Sequence, residues 1–215
     1  MSKLIWDKTG ERSYESGVDH GVLYPGAVGG TYENGVVWNG LTGVTESPSG
    51  ADATDFWADN IKYASMRAAE AFGYTIEAYA YPDEFAVCDG SEEVVAGVKI
   101  GQQSRKSFGF SYRTMKGNDA DANAGYLIHI IWNSTASPSE RAYQTINDSP
   151  DAITFSWECE ATPVNVTGYK PTCLMTIDSQ KIDSDKLTAL ENKLYGTDSQ
   201  EATLPTPDEV IALIR

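Results

Sequence analysis

Hydrophobic and polar residues alternate at period two through much of the chain. Phe108, Phe110 and Tyr112 alternate with Gly109, Ser111 and Arg113. Ile153, Phe155, Trp157 and Cys159 alternate with Thr154, Ser156, Glu158 and Glu160. Residues 74–81 alternate too, with Glu77 facing away from Ile76 and Ala78, before Pro82-Asp83 ends the run. Residues 126–133 and 172–178 are further β-rich runs. Alternation of this kind predicts strands that pack one face and turn the other to water or a partner. Residues 35–45 read as a strand pair or one bent strand, their glycines marking a bulge or close backbone approach. Ile61, Ala64, Ala68 and Phe72 also fit a helix, but the stretch reads better as a strand running into a turn at Gly73.

The pattern changes near the C-terminus. Leu187, Leu190 and Leu194 share one helical face. Asp183 is a good N-cap, Ile182 and Leu187 can form a hydrophobic staple, and Gly196 stands where a C′ glycine belongs. Thr206-Pro-Asp-Glu209 predicts a second, short helix with Thr206 as cap, Pro207 in first position and Glu209 closing a capping box. Its apolar residues, Val210, Ile211, Leu213 and Ile214, are too few for a free helix. Residues 197–206 read as a linker, and the tail must dock on its own subunit or a neighbour. The N-terminal fifty residues hold ten of the 19 glycines. Tyr24-Pro-Gly-Ala-Val-Gly-Gly30 and Ser47-Pro-Ser-Gly50 read as turns or loops. The sum is one mostly antiparallel β domain with a helix on or beside its sheet.

Composition narrows the function. The 215 residues carry 16 basic and 31 acidic side chains, a formal net charge of −15. With 41% hydrophobic residues the chain can fill a core. The acid excess argues against a nucleic-acid binder that neutralises phosphates and against attraction to anionic lipid. The opening residues turn charged too early for a signal peptide, and the apolar run 126–132 is too short to span a bilayer. Cys88, Cys159 and Cys173 are odd in number and show no CxxC spacing. They read as small buried hydrophobes of a reducing compartment, not as a disulfide framework or zinc site.

Candidate chemistry is sparse. No phosphate-binding, dinucleotide, zinc-protease or nucleophile-elbow motif is present. His20 reads as a residue of a polar loop and His129 as a satisfied core residue. Glu158 and Glu160 share a strand face roughly 7 Å apart. A glycosidase could use such a pair, but in so acidic a chain a solvated or lumen-facing acidic stripe is the simpler reading. Asp119, Asp121 and Asn123 match the first oxygen positions of a calcium loop. Ala124 and Ile130 stand where that loop needs Gly and Glu, so the reading fails. The alternative is a long polar loop between strands 108–115 and 126–133, with Asn118, Asp119, Asp121 and Asn123 as candidate contacts to a partner.

Several stretches together carry a resemblance. They are Val36-Val-Trp-Asn-Gly-Leu-Thr-Gly-Val-Thr-Glu-Ser-Pro-Ser-Gly-Ala51, Ala58-Asp-Asn-Ile-Lys-Tyr63 and Thr75-Ile-Glu-Ala-Tyr-Ala-Tyr-Pro-Asp-Glu-Phe85. They continue with Ile100-Gly-Gln-Gln-Ser-Arg-Lys106, Ser137-Pro-Ser-Glu-Arg141 and Asp148-Ser-Pro-Asp-Ala-Ile-Thr-Phe-Ser-Trp-Glu158. The last are Thr162-Pro-Val-Asn-Val-Thr-Gly-Tyr-Lys-Pro171 and Leu204-Pro-Thr-Pro-Asp-Glu-Val210. In this order, over nearly the whole chain, they resemble the major tail proteins (tail tube proteins) of long non-contractile-tailed bacteriophages, particularly those of Gram-positive bacteria.

The resemblance implies a mainly β fold: a tail-tube-type β-sandwich or partly closed barrel with a flanking α-helix and extended loops or arms. Residues 1–196 would be the β domain, with a Gly-rich region over 1–58, and 197–215 a linker and short docking helix. It implies a structural virion protein, not an enzyme, with no cofactor and no metal. Copies would form stacked rings, usually hexameric, whose lumen holds a tape-measure protein and conducts double-stranded DNA without binding it specifically. Tail terminator and distal tail proteins would be further partners, with no membrane involved. The location would be the phage tail, assembled in the host bacterial cytoplasm. Glu158 and Glu160 become candidate lumen-facing acids, and the loop residues 118–123 candidate inter-ring or inter-subunit contacts. The alternative is a β-sandwich carbohydrate-binding or glycoside-hydrolysing domain.

Overall fold

A computed structural model describes residues 4–26, 31–50, 52–146, 148 and 151–215. One antiparallel sheet organises the molecule. Its strands are β1 (Ser13–Pro25), β2 (Val36–Trp38), β3 (Leu41–Gly50), β6 (Glu70–Ala78), β9 (Phe108–Asn118), β10 (Gly125–Ala136) and β11 (Phe155–Ala161). Their spatial order is β2-β1-β9-β10-β11-β6-β3. An eighth strand, β12 (Leu174–Asp178), pairs with residues 127–131 of β10, and β11 takes over at residues 134–136. Asn133 marks the change of partner. Its φ of 50° lies in the left-handed region that Asn tolerates better than most residues.

The sheet rolls inward on a core of aromatic side chains. Phe72, Tyr74 and Ile76 of β6, Phe108, Phe110 and Tyr112 of β9, and Trp157 and Cys159 of β11 all point into it, with Trp38 and Phe85 at its centre. Trp38 meets Phe85, Phe110 and Trp157 at ring distances of 4.6, 5.6 and 5.5 Å. Burying each large ring stabilises the fold by about 2–3 kcal/mol. Side-chain direction therefore alternates over 108–112 and 155–159 as expected, but Gly109 and Ser111 are buried as well, so β9 turns neither face to water there. The two ends of the roll approach each other: a Cβ on Gly21 of β1, the strand next to β2, would collide with Leu41 of β3. No hydrogen bonds join these strands, and the roll is not closed into a barrel.

A second core lies on the outer face of β1, β9, β10 and β12. Val22, Tyr24, Ile128, Ile130, Trp132 and Ile177 project there. Leu187, Leu190 and Leu194 of helix α1 (Ser184–Tyr195) cover them, with Val210 of helix α2 (Pro207–Ile214). Both helices are capped as the sequence predicts. Asp183 accepts from Asp185 N at 3.0 Å, Gly196 has φ 78°, and Thr206 and Glu209 form a capping box. Residues 197–206 are strapped to the body: Gly35 N donates to Ala202 O at 2.8 Å, Leu204 is buried, and Trp132 Nε1 donates to Pro205 O at 2.9 Å. The tail docks on its own subunit.

Several local expectations change. Gly73 lies inside β6 and makes no turn; the chain breaks instead at residues 68–69, between β5 (Ile61–Arg67) and β6. Residues 35–45 form neither a hairpin nor one bent strand. Gly40, with φ 79°, redirects the chain so that β2 and β3 take opposite ends of the sheet. Ser47-Pro-Ser-Gly50 is the end of β3, where Pro48 is tolerated because an edge strand needs no ladder N–H on its outer side. His20 is a bulge residue of β1, with φ 51° between shifted registers. Residues 27–30 of the glycine-rich run, and 51, 149 and 150 of the quoted stretches, lie outside the described residues. Two hairpins stand off the sheet: β4 (Ala53–Ala58) with β5, and β7 (Glu92–Val95) with β8 (Val98–Ile100).

Candidate assembly surfaces

The outer face of β3, β6 and β11 carries neither helix nor apolar cover. Strand pairing arranges its side chains in rows. Gly43, Glu77 and Ser156 form one row, and Thr45, Thr75 and Glu158 the next. Ser47, Gly73, Glu160 and Thr135 form a third. Successive rows lie roughly 7 Å apart, and each holds one carboxylate among small or hydroxylated residues. No Lys or Arg appears in them. Glu158 and Glu160 are exposed because Trp157, Cys159 and Ala161 take the inward positions of the same strand. A shallow depression of about 370 Å³ lies over this face, with Ser47, Ser49, Ser137 and both glutamates in its lining. Among the described residues, the aromatic one in its lining is Tyr74, whose ring is buried in the core against Phe110.

The loop after β9 is tighter than its length suggests. Asn118 Oδ1 accepts from Ala120 N and Asp121 N at 2.8 and 2.7 Å, and Asp121 Oδ1 accepts from Asn123 N at 2.9 Å. Asp119 reaches outside the loop and accepts from Gly10 N at 2.8 Å, so it anchors the N-terminal segment. Asn118, Asp119, Asp121 and Asn123 thus share one polar turn. That turn is at the start of β10, whereas Glu160 pairs near the strand's end, roughly 30 Å away along it. The structure does not bring the two candidate groups together. Among the described residues no cluster of His, Cys, Asp or Glu is arranged to hold a metal ion.

Sequence reading missed a polar cluster at one mouth of the roll, where the buried His129 and Tyr112 meet the partly exposed Glu46. His129 stacks on Tyr112 at 4.6 Å, and its Nε2 lies 3.0 Å from Thr114 Oγ1. Its Nδ1 lies 3.5 Å from Glu46, which also accepts from the Tyr112 hydroxyl at 2.6 Å. The His129 contact holds the Glu46 carboxyl below its ordinary range; burial opposes this and the Tyr112 hydroxyl adds to it. His129 is therefore a satisfied core residue. Its partner Glu46 joins β3 to β9 and β10 across the mouth. Nothing in the run Glu46-Ser-Pro-Ser-Gly50 signals this, because the partners are 66 residues or more away.

A second ion pair fixes β1 to β9. Arg113 grips Asp19 with two hydrogen bonds of 2.8 and 2.9 Å. The hydrogen bond from Arg113 holds the Asp19 carboxyl below its ordinary value. The hairpins β4–β5 and β7–β8, exposed along their whole length, were also missed as surfaces. The two-residue turn Asp59-Asn60 was the available signal for the first.

No family model matches the chain, and no curated protein does. Among solved structures it is similar to the PVC sheath/tube terminator of an extracellular contractile injection system in the extended state. That match has 11% identity, covers 81% of this chain and 99% of the other, and has a TM-score of 0.35. It is also similar to the tube-terminating cap of the anti-feeding prophage, at 9% identity, 83% and 97% coverage and a TM-score of 0.36. A chain of the PVC sheath-tube complex matches at 11% identity, 74% and 88% coverage and a TM-score of 0.32.

Proposed function

We propose that the chain is the structural subunit of a phage tail tube of the long non-contractile type. Copies associate side by side into rings, hexameric as in the family the sequence resembles, and the rings stack into a hollow tube in the virion. The tube is assembled in the bacterial cytoplasm around a tape-measure protein. Terminator and distal tail proteins close its ends, and DNA passes through its bore.

The observation that carries this reading is the uncovered face of β3, β6 and β11. A free-standing domain would normally mix charges over such a face. Here each row has one acid and no base, and the face ends at β3, which among the described residues pairs with β6 alone. Open strand edges are a hazard that a neighbouring copy removes. A ring built in this way turns Glu77, Glu158 and Glu160 to the bore, where a negative potential repels phosphate and lets DNA slide. The turn holding Asn118, Asp119, Asp121 and Asn123 projects from the other end of the sheet and meets adjacent copies.

Negative-stain microscopy of the purified chain at high concentration tests the proposal. Rings or tubes of constant width are expected. A persistently monomeric chain that hydrolyses glycans would overturn it.

A further inference from the structure

β3 and β6 continue beyond the sheet as a ribbon. They pair as far as Gly50 and Glu70, and pairing resumes from Ala53 opposite Arg67. The ribbon closes at Asp59-Asn60, whose φ values of 51° and 63° fit the tight turn that matches strand twist. Among the described residues no third strand pairs with β4 or β5, and every residue of both is exposed. An isolated two-stranded ribbon is marginally stable in water.

Its side chains are sorted between two faces. The register places Phe56, Ile61 and Met66 on one face, and its shift between Phe56 and Trp57 leaves Tyr63 unpaired beside them. Phe56, Ile61, Tyr63 and Met66 are 47, 62, 74 and 63% exposed, so a large part of each is left to solvent in the single subunit. The other face carries Trp57 with Asp55 and Lys62, which form a 2.8 Å ion pair.

Helix α2 and strand β12 frame an apolar groove of about 500 Å³. Met175, Ile177, Ile182, Val210, Ile211 and Ile214 line it, with Lys181 and Arg215 among its polar residues. Consecutive residues of β12 contribute to it, so it runs along a strand that is paired on one side only, to β10.

We propose that the apolar face of the β4–β5 hairpin docks in the α2–β12 groove of a second copy. This rests on the self-assembly reading above and supplies one of its contacts. Charge selects the occupant. Each copy carries −15, so copies repel unless their contact sets cations against acids. The groove offers Arg215 and Lys181, whose side chain is 78% exposed; the acid in the lining, Asp178, lies 3.6 Å from Lys181 and is already held by Lys116 at 2.7 Å. The hairpin offers Asp59 at its tip, away from the cation Arg67, which pairs opposite Ala53 at the base near Asp52; Lys62 is held by Asp55. Each copy gives its hairpin to one neighbour and its groove to another. Such a head-to-tail contact propagates instead of stopping at a dimer.

Because all three native cysteines are buried, introduced thiols can be read without interference. A chain carrying both Tyr63→Cys and Ile211→Cys, assembled and then treated with a short bis-maleimide, should give a ladder of covalent oligomers on a denaturing gel. Each single variant should stop at dimers or below. In parallel, Phe56→Ser with Tyr63→Ser should leave the unfolding midpoint of the monomer unchanged and raise the concentration needed for assembly by roughly 100-fold. Tubes that form without a ladder, or an unchanged assembly concentration, would overturn the docking and leave the tube reading intact. A wild-type chain that assembles under no condition overturns both.

Discussion

Cys88, Cys159 and Cys173 are all free and buried. Burial pushes the thiols of Cys88 and Cys159 up to about 12 and raises that of Cys173. A thiolate is the reactive form, so none of the three should react with a disulfide reagent near neutral pH in the native protein. All three should react in denaturant. A thiol titration with and without urea checks this, and one rapidly labelled native thiol would contradict it. Glu46 makes a second residue-scale prediction. Its folded carboxyl titrates below the ordinary value of 4.5, so it adds stability that is present above that value. The contribution is lost as pH falls through the lower, folded value. Glu46→Gln should therefore cost about 1 kcal/mol at neutral pH, allowing for partial solvent exposure. Its urea midpoint should converge on that of the wild type as the solution is acidified below the carboxylate range.

At the scale of elements, the sequence was most legible where a segment obeys one period throughout. Trp157, Cys159 and Ala161 face in while Glu158 and Glu160 face out, so β11 could be read from alternation alone. Helix α1 was legible from three leucines and two caps, and α2 from Thr206, Pro207 and Glu209. The cap of α2 can be tested: Thr206→Ala removes the acceptor for Glu209 N and should cost about 1 kcal/mol by chemical denaturation. β1 was hidden because two bulges, near Gly17 and His20, interrupt its alternation, and its glycines imitate a loop. The β4–β5 ribbon was hidden because burial never alternates along it. Gly73 was misleading for another reason. Its lack of a side chain keeps the outer face of β6 low between Ser47 and Glu160, a role set by cross-strand neighbours and not by chain direction. The candidate acids were legible on β11, but Glu77 and Glu46 gain their settings from strands distant in sequence.

At the scale of the whole molecule, the two faces of one sheet take different solvents. Over β1, β9, β10 and β12 the outer face is apolar and sealed by two helices. Over β3, β6 and β11 it is acidic and open. In a tube that open face would line the bore, repeated by every copy of every ring, so a small change in one subunit becomes a continuous stripe. Glu158→Lys with Glu160→Lys would replace that stripe by cations that bind phosphates through counterion release. Both residues are exposed on the outward face of β11, so the variant should fold and form tubes of normal width by microscopy. DNA release from phage carrying it should slow by on the order of tenfold or more at low salt and recover as salt rises, because phosphate contacts weaken steeply with ionic strength. Release kinetics followed with a DNA-binding dye at two salt concentrations separate this from a blocked tube, which salt would not relieve. Unchanged kinetics in intact tubes would show that this face of β11 does not line the bore.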